Sequence, residues 1–138
     1  MHLALSQYAK LYLIAVGVFF ALDLLWLGLI AKPFYERHLG HLLRDHVLWE
    51  AAILFYLLFL AGLVFFVIAP AVACGSFLRA VVLGAVFGFI TYQTYELTNY
   101  ALIRDWPFIV VVVDIAWGVV LCGLVSGLTY LTAAKLLL

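Results

Sequence analysis

Charged side chains are scarce. Asp, Glu, Lys and Arg make up 10% of the 138 residues while 70% are hydrophobic, a balance that no soluble domain of this size can hide in one core. Basic and acidic residues number 7 each, so there is no electrostatic footprint for nucleic acid. Cysteine is nearly absent: Cys74 falls in a short loop and Cys122 inside an apolar run, with no spacing that suggests a disulfide, a zinc site or a redox motif. No Ser-His or Cys-His constellation appears, and no cofactor is implied. Apolar and polar residues do not alternate in strands of about ten, which removes the closed barrel as a way of crossing a membrane.

What the chain has is long apolar windows. Four of them, residues 11–30, 47–68, 80–103 and 108–131, are long enough to cross roughly 30 Å of hydrocarbon. The expected architecture is therefore all-α, a single integral membrane four-helix bundle embedded in the lipid bilayer. The first window follows Lys10 as a signal peptide would, but it is too long, contains Asp23 and lacks a small-x-small cleavage site, so it is read as a retained helix with residues 1–10 as a short lead. Residues 31–46 set Pro33 at a helix start and Tyr35, Leu39 and Leu42 opposite Arg37, His38, His41, Arg44 and Asp45. That pattern predicts a short interfacial amphipathic helix between helices one and two. His38, His41 and Asp45 share one of its faces, but the other helices bring no histidine to them, so no metal site is expected. Lys32, Arg37, Arg44 and Arg104 on one membrane face outnumber Lys10, Arg79 and Lys135 on the other, which leans toward both termini lying outside.

The most informative stretch is 91–100, Thr-Tyr-Gln-Thr-Tyr-Glu-Leu-Thr-Asn-Tyr, where every side chain but Leu97 carries a polar atom inside a spanning segment. A charged residue at the bilayer centre costs roughly 2.5 to 3.5 kcal/mol on insertion scales, so Glu96 must face protein or a wet cavity. Tyr92, Glu96 and Asn99 line one helical face with Tyr95 beside it. Each apolar window holds one acid and no Lys or Arg: Asp23, Glu50, Glu96 and Asp114. At about 1.5 Å per residue these lie roughly 10, 5, 10 and 9 Å from the same membrane face, because alternate helices run in opposite directions. Carboxylates gathered in low dielectric cannot all stay ionised, so some must be protonated or hold a cation. The expected donors are Tyr92, Tyr95, Tyr100, Thr98, Asn99 and the indoles of Trp26 and Trp117, with Lys32 or Arg104 reaching down from the rim. The candidate site is thus Asp23, Trp26, Tyr92, Tyr95, Glu96, Asn99, Asp114 and Trp117. Trp49 and Trp106 read as aromatic-belt anchors.

Gly84-x-x-x-Gly88 and Gly123-x-x-x-Gly127 predict close packing of helices three and four. A faint repeat sets Asp23-Leu with Pro33-Phe34 against Glu96-Leu with Pro107-Phe108, as a duplicated helical hairpin would.

Several of these motifs resemble one family. Asp23-Leu-Leu-Trp-Leu-Gly28, Phe55-Tyr56, Tyr92-Gln-Thr-Tyr-Glu-Leu-Thr-Asn99, Trp106-Pro107 and Asp114-x-x-Trp-Gly118 resemble the bacterial membrane proteins grouped as domain of unknown function 2177, with Glu96 where that family usually has Asp. The resemblance implies a small four-helix protein of the bacterial inner (cytoplasmic) membrane and brings no assigned reaction.

Three functions fit the residues. The first is a proton- or cation-linked transporter or ligand-binding protein with an intramembrane carboxylate/Tyr/Asn pocket for a small lipophilic or cationic ligand; four helices make a thin wall, so it implies a homo-oligomer. The second is a membrane-embedded enzyme acting on a lipid or isoprenoid, with Glu96 or Asp114 as general acid/base. The third is an accessory or structural membrane subunit.

Overall fold

The computed structural model describes residues 3–137. These form four long helices: α1 (Leu5–Leu39), α2 (Trp49–Ala73), α3 (Phe77–Leu102) and α4 (Phe108–Leu137). All four contain a stretch long and apolar enough to cross a membrane. Their outer surfaces carry Leu24, Leu29, Leu58, Phe66, Val86 and Val112, all exposed, as expected of helices bathed in lipid rather than water.

Both α1 and α2 run through a proline, and both do so in the same way. Pro33 and Pro70 supply no N–H, and each ring crowds the carbonyl four residues back. In each helix the preceding turn widens into a π-turn, Leu27–Ala31 and Val64–Ile68. The residue just before each proline then bonds five residues back, Lys32 N–H to the Leu27 carbonyl and Ala69 N–H to the Val64 carbonyl. Each π-turn inserts the equivalent of one residue and so rotates the helix beyond it.

That geometry corrects two expectations. The first helix begins at Leu5, so residues 5–10 belong to it rather than to a lead, and it does not end near Ile30. A separate interfacial amphipathic helix is not found: Lys32–Leu39 is helical but continues α1, and residues 40–48 are turn and irregular chain. The faint repeat likewise diverges in structure, since Pro33 sits inside a continuous helix while Pro107 opens a new one by offering its carbonyl to Val110 and Val111.

The bundle has two unlike halves. In the half holding the termini and the Cys74–Gly75–Ser76 turn, Leu11, Ala15, Leu60, Leu63, Ile68, Leu121 and Val125 are fully or almost fully buried in one core. Of all the helix pairs, α3 and α4 pack most extensively, and in this half they do so through glycine. A Cβ on Gly84 would lie 2.5 Å from Ser126 Oγ and 2.6 Å from the Cys122 carbonyl, and one on Gly88 would meet the Gly118 carbonyl, so these backbones touch only because no side chain intervenes. In the half holding the connections 40–48 and 103–107, α2 and α3 come apart. Their backbones meet mainly through residues 64–73 of α2; nearer the connections rings bridge them, Phe59 to Phe87 at 5.5 Å and Phe59 to Tyr92 at 6.3 Å.

Candidate functional site

Every buried carboxylate among the described residues lies in the splayed half. Glu96 is fully buried, Asp23 is 7% exposed and Asp114 is 9% exposed, whereas Glu50 is exposed at the start of α2 and does not join them. Glu96 faces α4, one turn beyond Tyr92, because the glycines earlier in α3 fix which side of the helix meets α4.

The hydrogen-bond partners of these acids are phenols and an indole. Tyr56 Oη donates to Asp23 Oδ2 at 3.1 Å, Tyr35 Oη donates to Asp114 Oδ1, and Trp106 Nε1 donates to Glu96 Oε2 at 2.9 Å. Glu96 and Asp114 are neighbours, and Glu96 Oε1 is buried without a partner. Tyr92 lies within electrostatic reach of both Asp23 and Asp114. Lys32 and Arg104, the cations expected to reach down from the rim, are both exposed.

Two stacked indoles stand beside Asp23 and Tyr35. The rings of Trp26 and Trp117 are parallel to within 9° with centroids 4.4 Å apart. Trp117 lies beside Asp23 and Trp26 beside Tyr35, yet neither indole nitrogen makes a hydrogen bond and both are buried. Gly118 makes room for this arrangement, since a Cβ there would lie 2.8 Å from Tyr92 Cβ and closer still to its ring.

A cleft of about 480 Å³ opens between α2 and α3, lined by Phe55, Phe59, Thr91, Tyr92, Tyr95 and Asp114. Phe55 and Tyr95 at its edges are 51% and 59% exposed on the lipid-facing surface, so the cleft opens sideways into the hydrocarbon with Asp114 as its one carboxylate. Asn99 is half-buried beside Tyr95. The eight residues singled out in the sequence thus all fall in this half, with Tyr95 mostly outside and Asn99 at the margin. Among the described residues no three His, Cys, Asp or Glu side chains gather as metal ligands.

Three participants lie beyond those eight. The sequence pattern makes Tyr35 an apolar contact of an interfacial helix, but it reaches Asp114 because the π-turn at Leu27–Ala31 swings Ala31, Tyr35 and Leu39 onto the buried side of α1 that Asp23 occupies. Tyr56 is inconspicuous in an apolar run, although at about 1.5 Å per residue it lies roughly 10 Å along α2, level with Asp23. Trp106 is a bonding partner of Glu96 rather than a free belt anchor: Asp105 adopts a left-handed φ of 62°, which Asp tolerates, and the turn folds the indole back over α3.

A helical bundle whose interior acids meet a side opening in its wall defines a polytopic membrane protein with a buried acidic cluster. The chain belongs to the family described as predicted membrane protein, domain of unknown function 2177, which it matches over residues 8–131. No curated protein and no solved structure matches it.

Proposed function

We propose that this protein, in the bacterial cytoplasmic membrane, binds a lipophilic ligand that enters from the bilayer and exchanges it against a proton held by Glu96 and Asp114. The observation that carries the reading is Asp114, a nearly buried carboxylate that both lines a lipid-facing cleft and adjoins a second buried carboxyl. Two adjacent carboxyls in low dielectric share a proton rather than both ionise, so a ligand that changes the field in the cleft displaces that proton. Tyr35 and Trp106 each donate to one oxygen of the pair, Asp114 Oδ1 and Glu96 Oε2, and hold the two groups in place. Asp23 is bonded to Tyr56 and is not a member of the pair.

The experiment is proton release from the protein in lipid nanodiscs, followed with an indicator dye while decanol, decylamine or decanoate is added. Release should accompany saturable binding of at least one probe and should vanish in Glu96→Gln and Asp114→Asn. Equal binding and equal release from the Asp23→Asn, Glu96→Gln, Asp114→Asn triple variant would sink the reading. Chemical change in an added lipid would favour the enzyme reading instead, and a partner protein retained through purification would favour the accessory subunit. A homodimer or larger assembly belongs to the proposal, because one four-helix bundle makes a thin wall; the mass of the nanodisc particle tests it.

A further inference from the structure

The walls of the cleft carry more information than its opening. Four of its six lining residues are aromatic, and Phe59 and Tyr92 meet at 80° with centroids 6.3 Å apart, so their planes form a corner. Asp114 faces this space, and behind it Glu96 brings a fully buried carboxyl with an unpartnered Oε1. Thr91 adds a hydroxyl whose proton is committed to the Phe87 and Gly88 carbonyls, so that its oxygen can only accept. The polar features of the cleft are thus one carboxylate, one accepting hydroxyl and the phenols of Tyr92 and Tyr95, which can donate or accept; none carries positive charge, and rings with negative faces fill the rest. The basic side chains Lys32, Arg44, Arg79 and Arg104 are exposed, and none of them lines the cleft.

Such a lining selects by charge. A phosphate or carboxylate headgroup would enter against the acids with no cation to receive it, whereas an ammonium would meet a carboxylate and aromatic faces together, the combination by which proteins recognise quaternary amines. The sideways opening admits a headgroup whose alkyl tail stays in the bilayer, and about 480 Å³ accommodates a trimethylammonium group with its first methylenes.

We infer that the cleft between α2 and α3 binds an amphiphile with a positively charged amine or quaternary ammonium headgroup and no phosphate, held by Asp114 and the rings of Phe55, Phe59, Tyr92 and Tyr95. The inference rests on the ligand-binding reading above and names its ligand class.

The test is calorimetric titration of the full chain in nanodiscs with decyltrimethylammonium, decylamine, decanol and decyl phosphate, each corrected against empty nanodiscs. The two cations should bind saturably, decanol at least tenfold more weakly and decyl phosphate not at all. Asp114→Asn should erase the preference for cations. Because that variant also disturbs Tyr35, Phe59→Leu serves as a second: it keeps an apolar wall, should weaken decyltrimethylammonium several-fold and should leave decanol unchanged. Decanol or decyl phosphate binding as tightly as the cations would overturn the ligand class and leave the cleft as a binding site. Absence of saturable binding by all four probes would overturn the binding reading along with it.

Discussion

The two halves of this bundle are held together by different forces. Around Gly84, Cys122 and Ser126 the helices touch backbone to backbone, beside a fully buried core of Leu60, Leu63 and Leu121. In lipid there is little hydrophobic gain from bringing two apolar helices together, so this half relies on close van der Waals contact, which small residues permit. Around Asp23, Glu96 and Asp114 the helices are linked by side-chain hydrogen bonds that reach from α1, α2 and the 103–107 turn, and a cleft is left between α2 and α3. One half sets the shape, and the other has kept polar groups where packing alone would have favoured leucine.

The contrast can be broken most severely in the tight half. Gly84→Leu would force the Ser126 side chain and the Cys122 backbone apart and should cost about 3 kcal/mol, read as loss of helicity and a lower midpoint when the protein is titrated with a denaturing detergent. In the open half, Asp114→Asn should leave that midpoint within about 1 kcal/mol while weakening ligand binding by about 2 kcal/mol, the worth of a hydrogen bond or contact to a charged group. Trp106→Phe keeps the ring against Tyr95 but removes the donor to Glu96, and should cost about 1 kcal/mol in the same unfolding titration. Tyr56→Phe keeps the edge-on contacts with Phe19 and Phe20 and loses only the bond to Asp23; interhelical hydrogen bonds in membranes average about 0.6 kcal/mol, and that is the expected loss. Gly17→Ala adds a methyl to open space and should move the midpoint by less than about 0.5 kcal/mol, setting the zero against which Gly84→Leu is judged.

Much of this architecture is legible in the sequence because the bilayer reads the same property as a hydropathy window does. Four apolar windows correspond to four helices, and counting residues from their ends puts Asp23, Glu96 and Asp114 at one depth. The same counting misjudges ends, since a window measures the reach of hydrocarbon and not of helix: residues 5–10 are too polar to count as membrane but helical all the same. Pro33 is a sound sign of a helix start in water, yet here a π-turn absorbs it and α1 runs on, which is why Tyr35 arrives at Asp114. Trp106 is hidden for a related reason. Depth is linear in residue number only along a helix, and a turn through a left-handed Asp105 brings the indole back to Glu96. Glu50 shows the opposite limit: it sits near the start of its helix as expected, but it faces outward, which no count of residues reveals.

On the proposed reading Glu96 and Asp114 behave as one proton-sharing pair, while Asp23, bonded to Tyr56, stands apart from it. Infrared difference spectroscopy of the protein in lipid, comparing it with Glu96→Gln, Asp114→Asn and Asp23→Asn, tests this directly through the carbonyl stretch of a protonated carboxyl. A shared proton predicts one such band that shifts or disappears in both Glu96→Gln and Asp114→Asn and keeps its position in Asp23→Asn. A band that responds to only one member of the pair, or that moves equally in all three variants, would contradict it.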